Sequence, residues 1–94
     1  MKLIWDPAFK RAFRKHVKRA PHLQDAIFAA LDLLEEDAFA PSLGSHKLRG
    51  QLDGYWSCSV GYDCRIIFAF TPDPDTPTEQ AITLLNLGSH DEVY

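Results

Sequence analysis

The chain has 94 residues, 46% of them hydrophobic and 24% charged, which fits one globular domain over residues 1–94. No apolar run approaches the roughly 20 residues that span a bilayer, and Met1 to Pro7 hold no apolar signal-peptide core, so a cytoplasmic protein with no membrane partner is predicted. The net charge of −3 argues against strong non-specific binding to free nucleic acid.

Lys2 to Trp5 is a short apolar run and predicts a first strand. Asp6-Pro7 then marks a helix start, because an aspartate can accept from first-turn N–H groups and proline suits the first helical position. Phe9, Ala12, Phe13, His16, Val17 and Ala20 recur at the spacing of one buried stripe. Lys10, Arg11, Arg14, Lys15, Lys18 and Arg19 take the remaining surface. Residues 1–20 thereby hold seven of the ten basic residues against one acid, and carry +6 where the rest of the chain carries −9. That asymmetry fits a polyanion or acidic partner, or simply a solvated helix face.

Pro21 predicts the start of a second helix with its own stripe of Leu23, Ala26, Ile27, Ala30, Leu31 and Leu34. The short link suits an antiparallel helical hairpin. Glu35, Glu36 and Asp37 crowd the helix end, against the macrodipole, and a contact with the basic first helix is expected of them. A loop follows from Phe39 to Ser45, continuing through His46 to Gly54.

Tyr55 to Phe70 predicts a β-hairpin, turning at Gly61, Tyr62 and Asp63. Alternation puts Tyr55, Ser57 and Ser59 on one face and Trp56, Cys58 and Val60 on the other. After the turn, Cys64, Ile66, Phe68 and Phe70 are expected in the core. Asp63 and Arg65 face away from it, with Ile67 and Ala69. An arginine held mid-strand beside serines is the first sign of a site. Cys58 and Cys64 lack zinc-site spacing and are read as buried, reduced thiols. Thr71 to Thr78 reads as a loose loop, Ala81 to Leu87 as the last core strand, and Gly88 to Tyr94 as the tail.

Among the four histidines, His16 falls on an apolar stripe and reads as a core or boundary residue, and His22 as solvent-facing. His46 and His90 sit in polar loops bounding the sheet, where chemistry tends to be placed. With Arg65, Lys47, Arg49, Asp63 and Tyr94 they suit metal-free phosphodiester cleavage. Histidine can move protons near neutrality, and arginine matches the charge on equatorial phosphate oxygens. No set of His, Cys, Asp and Glu has metal-ligand spacing, so neither metal nor cofactor is expected. Composition alone also allows these residues to be unrelated.

Three segments in joint order carry a resemblance: His46 to Gly50, Tyr55 to Phe68, and Leu87 to Tyr94. Over almost its whole length the chain resembles the RelE/ParE superfamily of bacterial type II toxins, within it the RelE/YafQ-like mRNA interferases. The resemblance implies an α+β fold of order β-α-α-β-β-β, an N-terminal helical hairpin packed on an antiparallel sheet. It also implies a cognate antitoxin and metal-independent cleavage of mRNA in the ribosomal A site. The family's strand arginine falls on Arg65, its C-terminal histidine on His90 and its terminal aromatic on Tyr94. His46 and Asp63 match the loop histidine and turn aspartate of YafQ-like toxins. Ser59 departs from the pattern, standing where YafQ-like enzymes carry a further histidine. Trp56 and Cys58 stand where RelE has lysines.

On this resemblance, His46, Asp63, Arg65, His90 and Tyr94 are expected to be catalytic. Lys47, Arg49, Arg14 and Lys18 are expected to bind RNA. Two other readings share the fold: a ParE-like toxin that poisons gyrase without nuclease activity, and a catalytically weakened antitoxin-binding module.

Overall fold

In the computed structural model, which describes residues 1–94, Asp6 accepts from the Ala8 N–H at 2.9 Å and so starts the first helix where its sequence predicts. Strand β1 (Lys2–Trp5) leads into helix α1 (Pro7–Arg19), and helix α2 spans Leu23–Glu36. Pro21 and His22 form the intervening turn, so α2 begins two residues later than the proline suggests. Both predicted stripes turn inward, led by Phe9 and His16 in α1 and by Ile27, Ala30, Leu31 and Leu34 in α2. Ala26 is the exception and lies exposed. The expected contact between the acidic end of α2 and the basic helix is not made. Asp37 instead accepts from the Phe39 N–H at 3.0 Å, and the Glu35 carbonyl receives the N-terminal ammonium at 2.9 Å.

The remaining strands are β2 (His46–Lys47), β3 (Trp56–Val60), β4 (Cys64–Pro72) and β5 (Gln80–Gly88), followed by a one-turn helix α3 (His90–Val93). They form one sheet of order β1-β5-β4-β3-β2. The hairpin and β5 are antiparallel as expected, but β1 runs parallel to β5. A parallel neighbour requires a long crossover, and here the helices and hairpin together supply it. The segment expected to be loop at His46 and Lys47 is an edge strand, pairing His46 with Ser57 and Lys47 with Trp56. Partnering β3 satisfies groups that would otherwise form an open sheet edge. The loop between β4 and β5 is tied rather than loose. Asp73 accepts from the Asp75 N–H at 2.9 Å, and Lys2 bonds Asp75 from β1 at 2.5 Å.

One face of the sheet packs against both helices. Phe9, Ile27 and Leu34 from the helices close on Cys58, Ile66, Phe68, Ile82, Leu84 and Leu87 from the strands. Cys64, Ile66 and Phe68 are core residues as predicted, while Phe70 is only partly buried at the core's edge. A register shift between Ile67 and Phe68 leaves Leu85 as an extra residue on β5, a bulge that restores Asn86 to the face opposite the core. Ile67, expected to face away from the helices, does so and is nevertheless buried. Helix α3 packs on these same two strands, β4 and β5.

Candidate active site

The sheet face away from the helices carries the polar residues that alternate with the core. Strand pairing extends that face sideways in two rows: His46, Ser57, Ile67 and Asn86, then Ser59 and Arg65. Successive rows on one face lie about 7 Å apart along a strand. His46 and Arg65 therefore face the same surface from different strands. The two serines between them anchor the neighbouring groups.

Arg65 is half-buried, and its Nη1 donates to Ser59 Oγ at 3.0 Å. A guanidinium has five N–H donors in a fixed fork, so one bond to the sheet orients the group and leaves the rest for a ligand. The Tyr94 hydroxyl donates to Ser57 Oγ, and Ser57 is fully buried. That bond fixes the aromatic ring of the last residue against the same face.

His46 is placed by a local turn. Gly44 closes the 3₁₀ turn Pro41–Leu43 at φ 57°, a left-handed conformation suited to glycine, and the Ser45 hydroxyl donates to the Ala38 carbonyl at 2.6 Å. The Gly44 carbonyl then lies 3.1 Å from His46 Nδ1. A carbonyl only accepts, so Nδ1 carries the proton of the neutral ring. Nε2 is left with its lone pair free.

His90 opens α3, whose Ser89 and Glu92 form a capping box. The Glu92 carboxylate accepts from the Ser89 N–H at 2.9 Å. This bond chiefly, with the charges of His16 and Arg19 behind it, holds the Glu92 carboxyl below its ordinary range. One helical turn brings the exposed His90 ring edge-on to Tyr94, with centroids 4.5 Å apart. His90 Nδ1 lies 3.5 Å from Asp91 Oδ1.

The other predicted residues are distributed around this group. Arg49 shares with Tyr94 a cleft of about 350 Å³, walled by Leu48 and Leu52. Lys47 alternates to the opposite face, where its ammonium sits 5.7 Å above the Trp56 ring. Asp63, in the hairpin turn, lines a different cleft of about 320 Å³ with His16, Arg19 and Glu92. Arg14 and Lys18 are exposed on α1, in the helical layer behind the sheet. Register and hydrogen bonding thus place His46, Arg65 and Tyr94 on one face, with His90 against Tyr94 and Arg49 beside it. Asp63, Lys47, Arg14 and Lys18 stand apart from them.

Ser57 and Ser59 carry the arrangement and were not read from the sequence as anchors. Their signal was present in the alternation of Ser-Cys-Ser, which puts two hydroxyls beside a strand arginine. Cys58 and Cys64 are free and buried in the core, as their reading predicts. Burial pushes the Cys58 thiol up to about 12 and raises Cys64 as well, so neither suits a thiolate nucleophile.

A family model described as the bacterial toxin of a type II toxin–antitoxin system, YafQ, matches residues 1–94. Among solved structures, the YoeB/ParE toxin from Agrobacterium tumefaciens is similar with a TM-score of 0.75 and 19% identity, over 96% of this chain and 99% of that one. YafQ from Escherichia coli strain BL21(DE3) gives a TM-score of 0.77 at 15% identity, over 99% of this chain and 97% of that one. The chain from the E. coli DinJ–YafQ complex gives 0.75 at 17% identity, with the same coverage of 99% and 97%. No curated protein matches. At such identities the likeness of the solved structures is one of fold, and it agrees with the helices-on-sheet architecture.

Proposed function

Because the chain belongs to the YafQ family of bacterial type II toxin–antitoxin toxins, we propose that it is an endoribonuclease that cuts mRNA in the ribosomal A site. The observation that carries this reading is the shared anchoring on β3. Arg65 is held by Ser59 and Tyr94 by Ser57, two residues apart, with His46 paired beside Ser57 and His90 against Tyr94. These groups meet the needs of an RNA phosphodiester whose own 2′-hydroxyl is the nucleophile.

In this reading His46 Nε2 takes the 2′-hydroxyl proton as that oxygen attacks the adjacent phosphorus. The free donors of Arg65 meet the charge developing on the equatorial oxygens. His90 in its protonated form gives a proton to the departing 5′-oxygen. A 2′,3′-cyclic phosphate and a free 5′-hydroxyl result. The step consumes no water and calls on no metal ion. Tyr94 stacks on or orients a base, and Arg49 grips a flanking phosphate. Asp63 acts from the hairpin turn on the substrate's path, not on the reacting atoms. Arg14, Lys18 and Lys47 meet phosphates of the surrounding RNA.

The partner that restrains it is a cognate antitoxin, as the E. coli relative's complex with DinJ suggests. An acidic or amphipathic segment would match the basic face of α1.

Primer extension on one message, naked and in a translating extract, tests the proposal with the native chain and with His46→Ala and His90→Ala. Cuts confined to translated message and lost in both variants are expected. Growth arrest without any cut would reject the nuclease reading and turn attention to gyrase.

A further inference from the structure

We infer that Glu92 is a positioning residue: its carboxylate latches the C-terminal helix to α1 and so aims His90 and Tyr94 at the sheet. The roles of His90 and Tyr94 rest on the nuclease reading; the latch itself rests on contacts.

Helix α3 has four residues. An isolated helix needs about 12–15 residues to be even marginal in water, so α3 takes its order and its direction from what it touches. Val93 is buried and Tyr94 bonds Ser57, which fixes the far end. Glu92 fixes the near end. Its Oε1 accepts from the Ser89 N–H at 2.9 Å and stands 3.6 Å from His16 Nε2, while Oε2 accepts from Arg19 Nη2 at 3.4 Å. One carboxylate thereby joins the cap of α3 to two residues of α1, one helical turn apart.

The end of β5 is built to let this happen. A Cβ placed on Gly88 would lie 3.1 Å from Glu92 Cβ, 3.2 Å from its Oε1 and 3.3 Å from His16 Nε2. The strand therefore passes directly under the latch, where a side chain would force it open. An exposed ion pair such as Glu92 with Arg19 is worth little alone. Here the same carboxylate also satisfies a backbone donor and packs against the bare backbone of Gly88, so its loss releases all three contacts together. Rotation of this one turn would carry both the His90 ring and the Tyr94 ring away from Arg65 and His46. Misplacement of a reacting group by about 1 Å costs on the order of 100-fold in rate.

The full-length chain carrying Glu92→Ala, Glu92→Gln or Arg19→Ala tests this in two readouts. The first is cleavage of a mapped mRNA site, with kcat separated from KM. The second is amide hydrogen exchange at Val93 and Tyr94, against Ile66 in β4 as internal reference. Glu92→Ala is expected to lower kcat by about 10- to 100-fold at nearly constant KM. It should also speed exchange at Val93 and Tyr94 about tenfold with Ile66 unchanged. Glu92→Gln, which keeps an acceptor for Ser89 but turns an amide N–H donor toward Arg19, should restore the cap and recover only part of both. Arg19→Ala leaves the tail sequence intact and carries the test if Glu92→Ala does not fold, its expected effect being faster tail exchange. Native kcat together with native tail exchange in Glu92→Ala and Arg19→Ala would overturn the latch. A wild-type chain that cuts no RNA would reject the nuclease reading alone, and the exchange data would still decide whether Glu92 holds the tail.

Discussion

Replacing Arg65 by lysine separates charge from geometry at the centre of the site. Arg65 spends one N–H on Ser59 at 3.0 Å and keeps the rest of its fork for a ligand. A lysine keeps the positive charge but has no planar fork: its three donors spread from one nitrogen and cannot present the rigid parallel pair that matches two phosphate oxygens. Loss of one well-placed donor to a developing oxyanion costs about 2.7–4 kcal/mol, or roughly 100- to 1000-fold in kcat. The folded state loses the guanidinium's charge-assisted bond to Ser59, about 1.5–3 kcal/mol, less whatever a lysine–Ser59 bond restores. For a domain of this size that lowers the melting temperature by roughly 4–8 °C per kcal/mol. Single-turnover cleavage of a mapped site and a thermal melt on the same preparation measure both. Expected is a fall of about two to three orders of magnitude in rate with a modest shift in melting. Ser59→Ala, which frees the guanidinium but preserves it, should lose about tenfold. Cleavage by Arg65→Lys within about threefold of the native rate, from folded protein, would refute the assignment of Arg65 as the transition-state clamp.

Ser57→Ala removes the buried partner of the Tyr94 hydroxyl. Stability should fall by about 1 kcal/mol, and the cleavage rate should drop as the ring is released, as a melt and a rate measurement on that variant would reveal. Cys58 is buried with its thiol pushed up to about 12, so iodoacetamide at pH 8 should label it only as fast as the protein opens. Rapid labelling of the native chain, followed by peptide mass spectrometry, would contradict that burial. The Glu92 carboxyl is held below its ordinary range in the fold, so the folded state binds the proton less readily than the unfolded chain. Its stabilising effect is complete at neutral pH and disappears as pH falls through that lowered value. Tail amide exchange, corrected for the intrinsic rate at each pH, should therefore quicken relative to β4 on acidification.

The features legible in the sequence are those whose cause is local. Asp6-Pro7 fixes the start of α1 whatever surrounds it, and two apolar stripes of period 3.6 place both helices. The hairpin follows from strict alternation about Gly61, which also sends Arg65 away from the core. The parallel pairing of β1 was not legible, because a four-residue strand carries no mark of its neighbour, which is chosen by the crossover. Nor was β2, since two residues are too few to show a period. Once β2 is paired, parity separates His46 from Lys47, and the two predicted site residues take opposite faces. Asp63 lies in the turn, where alternation has ended, so its direction is set by the turn geometry and not by the strand. The tail is a different case. Ser89 and Glu92 stand three apart, the spacing of a capping box, so α3 had a sequence signal. Its value depends on His16 and Arg19, which lie more than seventy residues away in the chain.

The central claim is that a 2′-hydroxyl of the message is the nucleophile at the face shared by His46, Arg65, His90 and Tyr94. A message bearing one 2′-deoxynucleotide immediately 5′ of a mapped cut, translated in an extract with the native chain, tests it most directly. Loss of that cut alone, with neighbouring cuts retained, is the predicted result. A cut that persists at the deoxy position would mean that another nucleophile breaks the bond, and would contradict the mechanism assigned to this site.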